Sequence, residues 1–121
     1  KGKVLKMDGK AVYEYVISNF CDLIENFRDN KKLNPGGFDF DELSAIIPHQ
    51  ANLRMLKGID RRHRGFMDKC KVTIEDYGNT STASQGVSQR DFLEDAEVGD
   101  TALFVGYGSG LMFSSNLYRV C

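Results

Sequence analysis

The apolar run Leu43-Ser44-Ala45-Ile46-Ile47 is cut off by Pro48, and this boundary narrows the possible folds more than any other feature. The run is too short for a helix and bounded sharply enough to be a buried strand. Patterns of helical period stand on both sides of it. Upstream, Asp8 is an N-cap and Gly9 and Lys10 open a helix, with Val12, Val16, Phe20, Leu23, Ile24 and Phe27 recurring along one face. Asn34-Pro35-Gly36-Gly37 closes that region. Downstream, a helix is predicted from about Ala51 to Arg62, with Met55, Leu56 and Ile59 facing inward. Lys71-Val72-Thr73-Ile74 reads as a second short strand. Thr80 or Ser81 is positioned to cap a further helix running to about Phe92. Ala102-Leu103-Phe104-Val105, the turn Gly106-Tyr107-Gly108-Ser109-Gly110, and the stretch from Leu111-Met112-Phe113 to Leu117-Tyr118-Arg119-Val120 read as a terminal hairpin. The order helix, strand, helix, strand, helix, strand, strand indicates an α/β fold, a mixed sheet covered by helices and ending in an antiparallel strand pair.

Size and charge exclude several function classes. At 121 residues the chain makes at most one domain, with a modest core. The net charge of −1 gives no global field for nucleic acid or a membrane surface. No apolar run approaches the roughly 20 residues that span a bilayer. The basic start, Lys1-Gly2-Lys3-Val4-Leu5-Lys6, has no apolar core behind it and is not a secretory signal. Cys21, Cys70 and Cys121 form no paired spacing, so reduced thiols in a cytoplasmic protein are expected. With two histidines and no Cys-x-x-Cys, no metal site is expected. The near-neutral total hides an asymmetry. Residues 49–71 carry seven basic against two acidic side chains, net +5, while residues 72–100 carry one basic against seven acidic, net −6.

Two polar side chains stand at the ends of strand-like segments. His49 follows Pro48, where an open α/β sheet commonly binds ligands. A neutral imidazole donates one hydrogen bond or exchanges a proton near neutral pH, and a histidine at a strand–helix junction also serves structure alone. Asn79, between Gly78 and Thr80, offers two N–H donors that never change charge, and Gly-Asn is equally a common turn pair. Brought together, two such donors hold a carbonyl oxygen that gains negative charge. Arg54, Lys57 and Arg61 form a basic stripe at helical spacing, suited to an acidic partner or to plain solvation. The glycines Gly106, Gly108 and Gly110 precede a strand rather than a helix, so they do not make a dinucleotide fingerprint. They suit close approach to a substrate or another segment, or a flexible hairpin.

These segments together resemble the C-terminal half of a β-ketoacyl-acyl carrier protein synthase III, a condensing enzyme of the thiolase superfamily. The resemblance runs from Met7-Asp8-Gly9-Lys10-Ala11-Val12 through Pro48-His49-Gln50-Ala51-Asn52-Leu53-Arg54 and Tyr77-Gly78-Asn79-Thr80-Ser81 to Val105-Gly106-Tyr107-Gly108-Ser109-Gly110. It implies that residues 1–121 are one half of a thiolase-like fold, with a nucleophile-bearing N-terminal half absent. The family's site is a cysteine, a histidine and an asparagine; His49 and Asn79 match the last two. Cys21, Cys70 and Cys121 do not match the first, so the isolated chain is expected to be inactive. The implied chemistry is decarboxylative condensation of malonyl-acyl carrier protein with an acyl-coenzyme A primer in fatty acid biosynthesis, with no cofactor. The resemblance places the carrier protein at Arg54, with Lys57 and Arg61 beside it. It gives Gly106, Gly108 and Gly110 to a loop of the active site, and it implies a homodimer once the enzyme is complete.

The segment Gln85-Gly86-Val87-Ser88-Gln89-Arg90 departs from the family, where a mostly apolar helix is usual, and Arg61-Arg62-His63-Arg64-Gly65 is more basic than the family pattern. These departures leave the primer open, so a related condensing enzyme of secondary metabolism fits too. Other readings are a non-catalytic synthase-like partner subunit that binds a carrier protein, and a thiolase-fold relative acting on coenzyme A thioesters. Keeping both His49 and Asn79 counts against the former, and the basic stripe against the latter.

Overall fold

A computed structural model describes residues 8–29, 32, 39–108 and 110–121. The segments at 1–6 and 34–37, and Ser109, lie outside the described residues. The first helix, α1 (Gly9–Asp29), starts where the sequence indicates. Asp8 Oδ1 accepts from the amides of Lys10 and Ala11 at 3.1 and 3.0 Å, satisfying two of the donors a helix start leaves open. Val16, Phe20, Cys21, Ile24 and Phe27 are its buried face.

The strand β1 (Ala45–Pro48) keeps Pro48 as its last residue. It pairs in parallel with β2 (Thr101–Gly108), which pairs antiparallel with β3 (Met112–Arg119), giving the order β1-β2-β3. Successive residues point to opposite faces. Ile46, Leu103 and Val105 pack with α1 and with Met55, Leu56 and Ile59 of α2 (Leu53–Arg62). Ala45, Ile47 and Ala102 pack with Phe92 of α5 (Ala83–Leu93) on the other face. The mixed sheet therefore carries helices on both faces, as expected. Where α2 crosses α1 the contact is tight: a Cβ on Gly58 would lie 2.4 Å from Ile17 Cδ1 and 2.7 Å from Tyr13 Oη, so the ends of those side chains would have to move.

Several local expectations are corrected. Residues 71–74 do not form a second strand. Cys70 makes one isolated parallel bridge to Ile46, between the short helices α3 (Phe66–Lys69) before it and α4 (Ile74–Tyr77) after it. The reason is local competition for donors: Gln50 Oε1 accepts from the amides of Thr73 and Ile74 at 2.9 and 3.0 Å, so neither is free for a ladder. The second helix begins at Leu53 rather than Ala51, because Asn52 caps it by accepting from Met55 N at 2.8 Å. Neither Thr80 nor Ser81 caps α5 with its side chain; Thr82 is the cap residue and makes no such bond. Gly106 and Gly108 belong to β2, so the turn is shorter than the glycine run suggests, and Gly110 takes φ +101° within it.

Candidate active site

His49 leaves β1 directly after Pro48, with its amide donating to Val105 O at 2.8 Å, so the sheet itself fixes its backbone. The half-buried ring has Nδ1 3.2 Å from Ser84 Oγ and stands edge-on to Tyr107, with centroids 4.8 Å apart. Burial lowers its pKa from the ordinary histidine value, against a smaller opposing contribution from a Ser81 backbone hydrogen bond. The imidazole is therefore neutral at neutral pH. Burial also pushes the Tyr107 phenol up to about 12, so it stays a neutral donor toward Met55 Sδ.

A cavity of about 540 Å³ opens in front of this ring, lined by His49, Ser81, Gln85, Gly106, Tyr107 and Ser114 among others. Gln85 Nε2 donates to Ile47 O at 3.1 Å and Val105 O at 3.2 Å, clamping the ends of β1 and β2 from α5. Gly106 lies beside this clamp; a Cβ there would press on Ser114 Oγ at 3.2 Å and reach ordinary contact with Gln85 Oε1 at 3.6 Å. The polar character of α5 thus has a physical account. Ser84, Gln85 and Ser88 turn toward strand carbonyls and toward Gln50 rather than into an apolar layer.

Asn79 sits on the loop between α4 and α5. Gly78, at φ +68°, releases the chain from α4 in a conformation that side-chain-bearing residues rarely adopt. Asn79 is exposed, and its Oδ1 accepts from Ser81 N at 2.9 Å. That bond orients the carboxamide and leaves both N–H donors unengaged among the described residues. Asn79 does not itself line the His49 cavity, whereas Ser81 and Thr82 of the same loop do. His49 and Asn79 are joined through Ser81 and Ser84: Ser81 O accepts from Ser84 Oγ at 2.8 Å, and Ser84 Oγ meets His49 Nδ1.

The basic stripe is exposed and heterogeneous. Arg54 borders a second cavity of about 540 Å³ with Gly9, Lys10, Tyr13 and Asn52. Arg61 Nη2 donates to Tyr13 Oη at 3.1 Å, and Tyr13 Oη donates to Arg54 O at 3.3 Å. Arg61 therefore braces the wall of that cavity, while Lys57 has no such engagement among the described residues. Gly106 and Gly108 line the His49 cavity; Gly110 does not.

None of the three cysteines lines the His49 cavity. Cys21 is buried in the core, where desolvation pushes its thiol up to about 11, and burial raises the Cys70 thiol as well. Both are poor nucleophiles, because the thiolate is the reactive form. Among the described residues no helix is long and apolar enough to cross a membrane.

Gln50, Ser84, Gln85 and Ser88 are the site residues that the sequence reading missed. Their only sequence signal is polarity in positions that otherwise read as junction or helix.

Residues 33–120 match the family model described as 3-oxoacyl-[acyl-carrier-protein (ACP)] synthase III C terminal. The chain is 33% identical over 116 residues to a β-ketoacyl-[acyl-carrier-protein] synthase III of Rubrobacter xylanophilus, covering 96% of this chain and 35% of the relative. It is 31% identical to the corresponding synthase III 1 of Halalkalibacterium halodurans, over 98% of this chain and 37% of that one. Its fold superposes on the crystal structure of 3-oxoacyl-[acyl-carrier-protein] synthase III from Aquifex aeolicus with TM-score 0.79 at 26% identity, covering 94% of this chain and 36% of that one. It also matches the priming β-ketosynthase of the R1128 polyketide pathway, with TM-score 0.77 at 28% identity over 97% of this chain and 34% of that one. The chain thus spans about a third of the length of the relatives it matches.

Proposed function

The chain belongs to the family of 3-oxoacyl-[acyl-carrier-protein] synthase III C-terminal domains, and from that premise we propose that it is the C-terminal half of a condensing enzyme that joins malonyl-acyl carrier protein to an acyl-coenzyme A primer. In this reading a cysteine on a preceding half, which completes a thiolase-like fold, carries the acyl group. Malonyl decarboxylation then pushes electron density onto the thioester oxygen. His49 and the Asn79 amide donate to that oxygen, and the resulting enolate attacks the acyl-cysteine with loss of the cysteine thiolate. The observation that carries the reading is the arrangement at the mouth of β1. A neutral histidine held by Ser84 borders a cavity, and an asparagine whose N–H groups are unengaged among the described residues stands three hydrogen bonds away.

Preorganised donors of this kind each contribute about 3–4 kcal/mol to the transition state, or roughly 10²–10³ in rate. His49→Ala in the full-length protein should therefore remove nearly all malonyl decarboxylation while cysteine acylation survives. Unchanged decarboxylation would refute the assigned role. The isolated chain should make no 3-oxoacyl product, since none of Cys21, Cys70 and Cys121 lines the His49 cavity.

Arg54, with Lys57 and the Arg61-braced Tyr13 beside it, forms the docking face for the acidic carrier protein in this proposal, and complete enzymes pair as homodimers. A second reading is a priming synthase of secondary metabolism. It is favoured by the likeness to the R1128 enzyme and by the polar wall that Gln85 and Ser114 give the His49 cavity.

A further inference from the structure

We propose that Gln50 is a positioning residue that sets the Asn79 loop in register with His49; this rests on the reading of those two residues as the donor pair. Gln50 is fully buried, with no exposed surface. Its carboxamide uses all four of its hydrogen-bonding capacities. Nε2 donates to Lys71 O at 2.8 Å and to Ser88 Oγ at 2.7 Å. Oε1 accepts from Thr73 N at 2.9 Å and Ile74 N at 3.0 Å. The partners fix the orientation of the amide: a flipped group would set its oxygen against the Lys71 carbonyl and its NH2 against two N–H donors. The backbone amide of Gln50 adds a bond to Ser84 Oγ at 3.3 Å.

These bonds close a circuit around the candidate site. Gln50 follows His49 in the chain. Its Oε1 holds the first amides of α4, a single turn closed by Tyr77 N to Thr73 O at 3.0 Å and Gly78 N to Ile74 O at 2.9 Å. That turn delivers Gly78 and Asn79. Asn79 Oδ1 holds Ser81 N, Ser81 O holds the Ser84 amide and hydroxyl, and Ser84 Oγ returns to His49 Nδ1. Each link is a hydrogen bond or one helical turn, so an error at Gln50 propagates to both donors. Ser88 ties the circuit to α5 by accepting from Gln50, donating to Ser84 O at 3.1 Å and meeting Thr73 Oγ1 at 3.2 Å. A residue that only held the fold together would not need to join these particular elements.

The test compares Gln50→Glu with Leu56→Ala, a core change of the α1–α2 layer outside the circuit. Glutamate keeps the size and the acceptor but loses the NH2 donors. Misplacing a catalytic group by about 1 Å costs roughly 100-fold in rate. In the full-length protein Gln50→Glu should lower kcat for malonyl decarboxylation about 100-fold with KM changed less than threefold. Leu56→Ala, at equal or greater loss of thermal stability, should leave kcat within threefold. In the present chain, the Asn79 side-chain NH2 and His49 ring resonances should move in Gln50→Glu and stay put in Leu56→Ala. Should Gln50→Glu fail to fold, Ser88→Ala removes the bonds of Ser88 Oγ to Gln50, Ser84 and Thr73 while leaving the other three Gln50 carboxamide bonds, and should lower kcat about tenfold with the same unchanged KM. Equal kcat losses in the circuit and core variants, or unmoved Asn79 and His49 resonances in the circuit variant, would overturn the proposal. If the wild-type full-length protein lacks decarboxylase activity, the functional reading fails instead, and the resonance comparison still decides the role of Gln50.

Discussion

Glycine to alanine at two helical positions should change stability in opposite directions, and the sign is set by the space around each Cβ. Gly86 lies in α5 with nothing within 4 Å of an added Cβ. Gly86→Ala therefore gains only the helix preference, stabilising by about 0.5–1 kcal/mol. Gly58 lies in α2, where the added Cβ meets Ile17 Cδ1 at 2.4 Å and Tyr13 Oη at 2.7 Å. The same preference is gained there, but overpacking a filled site costs about 1–3 kcal/mol. Moving the Tyr13 ring also stretches its bonds to Arg54 O and Arg61, at about 0.5–1 kcal/mol for each exposed bond. Because the ends of Ile17 and Tyr13 can swing aside, the lower part of the overpacking range applies. Gly58→Ala should then destabilise by about 1–2 kcal/mol net. At this chain length that is a fall in Tm of roughly 4–8 °C, against a rise of a few degrees for Gly86→Ala. Urea titration monitored by circular dichroism at constant pH, with a scanning calorimetry check, measures both. If Gly58→Ala were as stable as wild type or more so, the tight crossing of α1 and α2 would be refuted. Gly58→Ala combined with Ile17→Ala should recover the Gly58 loss in part, since it clears the nearest contact.

Two further outcomes follow from the charged groups. The Asp100 carboxyl is held below its ordinary pKa by the Glu97 amide first and the Ser44 hydroxyl second, at 2.8 Å each. A carboxylate depressed in the folded state stabilises above its unfolded pKa of about 3.9 and loses that contribution as pH falls through the folded value. Wild type should therefore lose stability more steeply than Asp100→Asn in urea titrations as pH falls below about 4, and identical slopes would count against the assignment. In the full-length protein, Arg54→Glu should raise KM for the carrier substrate more than for acyl-coenzyme A, because Arg54 faces outward from its cavity wall. Arg61→Glu should disturb both by displacing Tyr13, and steady-state kinetics with the two substrates separates these patterns.

The parts of the fold that a short window of sequence determines were legible. The Asp8 cap, the buried stripe of α1 and the end of β1 at Pro48 each rest on residues within a few positions of one another. The same is true of the inward face of Met55, Leu56 and Ile59. Lys71-Val72-Thr73-Ile74 has the look of a strand, yet its amides are taken by Gln50, more than twenty residues away in sequence. No local pattern carries that information. The glycines of β2 read as turn residues because glycine suits turns, but Gly106 lies within the strand, where an added Cβ would press on Ser114 Oγ. His49 and Asn79 were legible as candidates. What joins them was not, since Ser84 and Ser81 look like ordinary helix-start residues until their bonds are seen.

The two sides of the sheet are attached to their helices by different forces, and they should respond differently to strain. On the α1 and α2 side, attraction comes from buried apolar surface, which has little directional preference. Small sliding motions there change the energy gradually. Near its start, α5 is attached through Ser84, Gln85 and Ser88 by hydrogen bonds, which weaken steeply as their angles fail. A shift that the first interface absorbs by sliding would bend and weaken the hydrogen bonds of the second. The sheet therefore has a compliant face and a stiff one, and the His49 ring is fastened to the stiff one.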